Sequence, residues 1–186
     1  GIEDRQKIAD MMQKNARIIK SLIDEMLELS NSETAKDVVK EDQVELNKVL
    51  RDLLQENKNL ASKETVLRFE SSLNEDYVIT TNKMMLKRIV SSLVDNAIKN
   101  TSKGAVTLKV AADKENLTLI VEDTGKGIPA NEAEHIFERF FKIDSFKEGL
   151  GLGLPLCRSM TERLGGTVRL DTEYKTGARF IVTLPL

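Results

Sequence analysis

The stretch Lys83-Met84-Met85-Leu86-Lys87-Arg88-Ile89-Val90-Ser91-Ser92-Leu93-Val94-Asp95-Asn96-Ala97-Ile98-Lys99-Asn100 dictates a helix, and the rest of the chain is arranged around it. At about 100° per residue, Leu86, Ile89, Val90, Leu93, Val94 and Ala97 fall on one apolar face. Thr81 or Asn82 supplies an N-cap. Ser92, Asn96, Lys99 and Asn100 gather along the border of that face. An amide oxygen in this position can bind Mg²⁺, which prefers hard oxygen ligands, and an ammonium can neutralise a phosphate. Taken alone, such a polar shoulder is what any amphipathic helix carries.

Downstream, residues 105–112 and 117–123 alternate as strands, joined by the hairpin turn Asp113-Lys114-Glu115-Asn116. Asp123-Thr124-Gly125-Lys126-Gly127-Ile128-Pro129 follows directly. Here two closely spaced glycines allow a tight backbone, and an Asp at the strand end can accept a hydrogen bond from an exocyclic amine. An Asp-Gly turn is also common without a ligand. A short helix is predicted over 132–140. Gly149-Leu150-Gly151-Leu152-Gly153-Leu154 then opens a helix predicted over 152–164, which Gly165-Gly166 stops. Alternate glycines expose successive N–H groups at the positive end of the helix, as a phosphate cradle requires. No Gly-Lys-Ser/Thr follows, so it is not a P-loop, and the spacing is not that of a dinucleotide-binding fingerprint. Strands over 167–172 and 178–184, turned at Lys175-Thr176-Gly177, close the chain.

Upstream, strands are predicted over 65–70 and 77–80 and a helix over 43–60. Residues 2–30 form a further helix, in which Ile8, Met12, Asn15, Ile19, Leu22, Met26 and Leu29 recur in steps of four and three. This is the a/d seam of a helix bundle, with the other faces charged. Residues 30–40 read as a linker. The expected fold class is α+β: a two-layer α/β sandwich, with helices covering a mixed, mostly antiparallel sheet, preceded by a long helix. Residues 1–40 and 41–186 are expected as separate units. A net charge of −2 argues against nucleic acid, and the single Cys157 excludes an internal disulfide. No apolar run approaches the ~20 residues needed to cross a bilayer. The chain reads as an excised cytoplasmic piece of a larger protein, reaching a membrane only through upstream segments.

In this order the three chemistry-bearing segments resemble the N, G1 and G2 boxes of sensor histidine kinase catalytic domains, which belong to the wider GHKL, or Bergerat-fold, ATPase group with gyrase and MutL. Leu93 to Thr101 is similar to the N box, Asp123 to Pro129 to G1 and Gly149 to Leu154 to G2. His135-Ile136-Phe137-Glu138-Arg139-Phe140-Phe141 is similar to the F box. The resemblance implies that Asn96 binds Mg²⁺ and Lys99 a phosphate of ATP, with Asn100 beside the nucleotide. Asp123 would receive the adenine amine, and Gly125, Gly127 and Ile128 would shape that wall. Gly149, Gly151, Leu152, Gly153 and Leu154 would line the triphosphate under a lid at 140–148. Two departures stand out: Ser92 replaces a second Asn, and Asn100 replaces an aromatic residue.

Residues 2–30 resemble the second helix of the family's dimerisation module. The implied partners are a second copy of the chain and a response-regulator receiver domain. The phosphoacceptor histidine would lie on a preceding helix, so His135, the only histidine, is expected in a surface or packing role. A GHKL-type ATPase, or a nucleotide-binding or dimerisation module without kinase activity, is the alternative.

Overall fold

The computed structural model describes residues 2–34, 38–143 and 151–186. The first helix, α1 (Ile2–Thr34), runs past Ser30, so the linker expected from residue 30 begins later; residues 35–37 lie outside those described. The helix expected over 43–60 is divided. Asp42–Glu45 is a strand, β1, followed by α2 (Leu46–Glu56) and a 3₁₀ turn at Lys58–Leu60. The reason is non-local. β1 pairs antiparallel with β3 (Val78–Thr81), setting Val44 opposite Ile79, and the Leu46 N–H donates to the Tyr77 carbonyl at 3.0 Å. Val44 sits just ahead of the helical run that begins at Leu46, but a partner more than thirty residues away holds it in a strand.

The main sheet has the order β2-β4-β5-β7-β6: β2 (Thr65–Ser71), β4 (Gly104–Ala112), β5 (Asn116–Asp123), β7 (Arg179–Pro185) and β6 (Thr167–Leu170). β2 and β4 run parallel, and every other neighbouring pair is antiparallel. The sheet is therefore mixed and mostly antiparallel, as expected, and one helical layer covers it. α3 occupies Lys83–Asn100, capped by Asn82, whose side chain accepts the Met85 N–H at 2.9 Å. α4 (Gly153–Arg163) lies beside it. Leu86, Ile89 and Leu93 of α3, Leu156 of α4, and Leu108, Leu119, Val121 and Phe180 of the sheet are buried in one continuous core.

The predicted helix at 132–140 is instead two 3₁₀ turns, Ala130–Glu132 and His135–Phe137. Glu132 donates to the Pro129 carbonyl, and Phe137 to that of Glu134, so the bonds are one residue too short for an α-helix. Phe140, at φ 63°, lies in the left-handed region, where an α-helix cannot continue. Ile136 and Phe137 are buried, with Phe137 edge-on to Phe180 at 6.1 Å, so anchoring to the core replaces helical bonding here.

α1 reaches this layer at its far end. It touches α4, and Glu28 pairs with Arg88 of α3 at 2.9 Å. Ile8, Met12, Asn15, Ile19 and Met26 of its seam are exposed.

Leu86 has no exposed surface and sits where α3 meets the sheet. Leu86→Ala is expected to cost about 2–5 kcal/mol, read as a lower urea midpoint with an unchanged slope.

Candidate functional site

The end of α3, the turn after β5 and the start of β7 converge on one side chain. Asp123 is 2% exposed, and its Oδ1 accepts N–H bonds from Gly125 at 2.8 Å and Ala178 at 3.3 Å. Among the described residues, no hydrogen bond reaches its other oxygen, Oδ2. Burial pushes the carboxyl above the ordinary carboxylate range, with the two N–H donors pulling the other way. The alternation of β5 explains the burial: Leu117, Leu119, Val121 and Asp123 all point into the core. A strand phase that buries three apolar residues thus carries a carboxylate into the layer between sheet and helices.

The two neighbouring glycines are required by close approach. A Cβ on Gly125 would strike the Asn100 carbonyl and come within 3.0 Å of Asp123 Oδ1. A Cβ on Gly177 would strike the Asp123 carbonyl and stand 2.7 Å from its Oδ1. Gly125 therefore sits directly against the last residue of α3. Asn100 donates its side-chain amide to the Asn96 carbonyl at 2.7 Å and to Asn96 Oδ1 at 3.4 Å. Asn96 is half-buried, and Lys99 is exposed and bonded to Asp95 at 2.6 Å. Thr124 secures the turn: its N–H donates to the Ala105 carbonyl, and its hydroxyl accepts the Ala105 N–H at 3.0 Å.

On the other side, Leu152 is buried and caps α4, which packs along α3. Gly151, at φ 72°, accepts the Phe140 N–H at 3.2 Å, tying the G2-like segment to the F-box-like turn. A Cβ on Gly153 would meet nothing within 4 Å, so open space faces the first turn of α4.

The family described as histidine kinase-, DNA gyrase B- and HSP90-like ATPase matches residues 81–186. The chain belongs to that family. It is similar to sensor histidine kinase RcsC of Escherichia coli (strain K12), 38% identical over 107 residues, covering 55% of this chain and 11% of that protein. It is also similar to the adaptive-response sensory kinase SasA of Crocosphaera subtropica, 30% identical over 174 residues, covering 91% of this chain and 46% of that protein. The chain thus spans less than half the length of each of these relatives. Among solved structures, full-length ShkA in complex with AMPPNP shares the fold, with a TM-score of 0.84 at 23% identity, covering 98% of this chain and 39% of that one.

Asp123, Gly125 and Asn100 meet, and Asn96 is bonded to Asn100. Gly127, at φ 72°, lies with its Cβ position 3.1 Å from the Gly177 carbonyl, and Ile128 packs on the core, as does Leu154. Gly151, Leu152, Gly153 and Leu154 stand at the head of α4, joined to α3 by helix packing. Gly149 and Leu150 lie outside the described residues, as does 144–148 of the expected lid. His135 is exposed, its Nδ1 2.8 Å from Glu138 Oε1 and its ring 5.9 Å from that of Phe141, which fits a surface and packing role. Hydrogen bonding to Glu138 holds its pKa above the ordinary value.

From the sequence, Gly177 is legible only as a turn residue, Thr124 only as part of the turn after Asp123 and Ala178 only as a strand start, and nothing marks Tyr174. The β5–β7 register, which sets Glu122 opposite Arg179, is what brings Gly177 and Ala178 to Asp123.

Gly125→Ala is expected to destabilise the fold by roughly 1–3 kcal/mol, because both atoms it meets are held in place. Differential scanning calorimetry would show this as a lower melting temperature.

Proposed function

We propose that residues 41–186 bind ATP with Mg²⁺ as the catalytic part of a sensor histidine kinase, which transfers the γ-phosphate to a histidine for relay to a response-regulator aspartate. Residues 1–40 are then part of the dimerisation module, and the whole lies in the cytoplasm. The observation that carries this reading is Asp123. A buried carboxylate with one oxygen bound to backbone N–H groups and the other without a hydrogen bond is suited to an amine arriving from a ligand. The adenine 6-amino group supplies such a donor. Gly125, Gly127 and Ile128 shape that wall, with Asn100 beside it.

The donor set fits Mg²⁺ as a nucleotide-borne ion. Among the described residues there is no cluster of three or more His, Cys, Asp or Glu side chains that could hold a metal. A single amide oxygen, Asn96 Oδ1, suits an ion that keeps several waters and takes the rest of its ligands from phosphates. Bound there, Mg²⁺ would offset charge on the phosphates. Lys99, one turn from Asn96 and drawn toward Asp95 in this structure, has the reach of a flexible ammonium for a phosphate oxygen. The backbone N–H groups at Gly149, Gly151 and Gly153, with Leu152 and Leu154 packed behind them, would cradle the triphosphate. These groups position and neutralise rather than react, which is what phosphoryl transfer asks of a protein. Asp95 precedes Asn96 by one residue and so leaves the helix about 100° around from it, which weighs against a water-activating role beside the metal and favours the kinase over the ATPase reading.

The exposed seam of Ile8, Met12, Ile19 and Met26 supports a homodimer through α1.

Calorimetric titration with ATP–Mg²⁺ tests the pocket. Asn96→Ala and Asp123→Asn are each expected to weaken binding at least tenfold, about 1.4 kcal/mol. Asp123→Asn should keep its melting temperature at pH 7 or gain. A carboxyl whose pKa is raised on folding loses stability as pH rises through that pKa, and the neutral amide avoids this loss. Unchanged affinity in Asp123→Asn would remove the adenine assignment. With γ-labelled ATP, the 186-residue chain is expected to acquire no acid-labile phosphate, because His135 is not the acceptor. Label mapped to His135 by mass spectrometry would overturn that.

A further inference from the structure

Glu122 and Asp123 are successive residues of β5, so their side chains leave opposite faces of the sheet. Asp123 points toward the helices. Glu122 lies on the other face, where a line of charges crosses four strands. Lys109 Nζ stands 2.7 Å from Glu122 Oε1 and 3.6 Å from Glu70. Arg179 Nε donates to Glu122 Oε2 at 2.7 Å, and its Nη1 lies 3.3 Å from Asp171 Oδ2. The same guanidinium sits 4.0 Å from the ring centroid of Tyr174.

Tyr174 carries this line back to the pocket. Its hydroxyl donates to the Asp123 carbonyl at 3.2 Å. That carbonyl belongs to the peptide leading into Thr124, whose N–H donates to Ala105. Asp123 is thus gripped at its N–H by the Ala178 carbonyl, at its own carbonyl by Tyr174, and at its carboxylate by Gly125 and Ala178. Three of these four bonds are made by main chain. Tyr174 makes the one that comes from a side chain, and Arg179, held by two carboxylates, fixes the ring that makes it.

We propose that Tyr174, stacked on Arg179, is a positioning residue for recognition of the purine 6-amino group: it acts through the Asp123 main chain to aim the carboxylate. The proposal rests on the reading of Asp123 as the adenine acceptor. The one hydrogen bond of the Tyr174 hydroxyl given by the structure goes to the Asp123 main chain. It holds the carbonyl end of the peptide whose N–H end is held by Ala105, and a rotation of that peptide would re-aim the Asp123 side chain. Its removal therefore lowers discrimination among purines more than it lowers binding of the triphosphate.

The test uses the full chain and two probes: ATP, and the triphosphate of purine riboside, which lacks only the exocyclic amine. Calorimetry is run on wild type, Tyr174→Phe, which keeps the ring and loses the hydroxyl, and Arg179→Lys, which keeps a cation over the ring. Wild type is expected to prefer ATP at least tenfold; equal affinities there would sink the Asp123 reading itself, and this proposal with it. If wild type shows the preference, Tyr174→Phe is expected to reduce it threefold or more while the affinity for purine riboside triphosphate stays unchanged. Arg179→Lys should retain most of the preference. A Tyr174→Phe protein that keeps the full preference, or that weakens for both nucleotides equally, overturns the proposal while leaving the Asp123 assignment intact.

Discussion

The fold is organised around the burial of one carboxylate. Placing Asp123 on the inward phase of β5 puts a group that favours water into an apolar layer, where an ionised carboxylate without donors would be prohibitive. The protein answers with main-chain donors, and that answer constrains much else. Donation from Gly125 requires the chain to turn back at once, which brings Gly125 against the end of α3 with no room for a side chain. Donation from Ala178 requires β7 to begin beside β5, with a second glycine at Gly177 to let the strands close. The positions of α3, β5 and β7 are thus mutually fixed by the coordination of one side chain.

If Oδ2 receives an amine from a ligand, as proposed, the same arrangement would make that recognition selective. Oδ1 is already occupied by two donors, so the group presents a single acceptor oxygen at a defined angle. A buried acceptor left unpaired discriminates strongly between a ligand that donates and one that does not, because the mismatched complex leaves a desolvated oxygen without a partner. Apolar walls alone would give a far weaker distinction.

How much of this was visible beforehand depended on the sequence distance over which each element is decided. α3 was legible, because its period and the change of pattern after Asn100 are local; of the two cap candidates, Thr81 and Asn82, the structure selects Asn82. The β4–β5 hairpin was legible for the same reason. β1 was not, since its partner β3 lies far along the chain and Val44 runs straight into the helical pattern that starts at Leu46. The composition after Pro129 allows a helix; the backbone of Phe140 and the anchoring of Ile136 and Phe137 in the core leave no signal in the spacing. Asp123, Gly125 and Asn96 could be nominated from motifs in order along the chain. Tyr174, Gly177 and Ala178 could not, because their bearing on Asp123 exists only once β7 is registered against β5.

The contact between Glu28 and Arg88 gives the molecule a further property. Both side chains are about a third exposed, so water competes for each of them. Such a pair is worth roughly 0–1 kcal/mol, little more than the thermal energy itself. The pair therefore adds little to the attachment of the long leading helix, and dissolved electrolyte would weaken it further, so that the packing of α1 on α4 is what holds the two together.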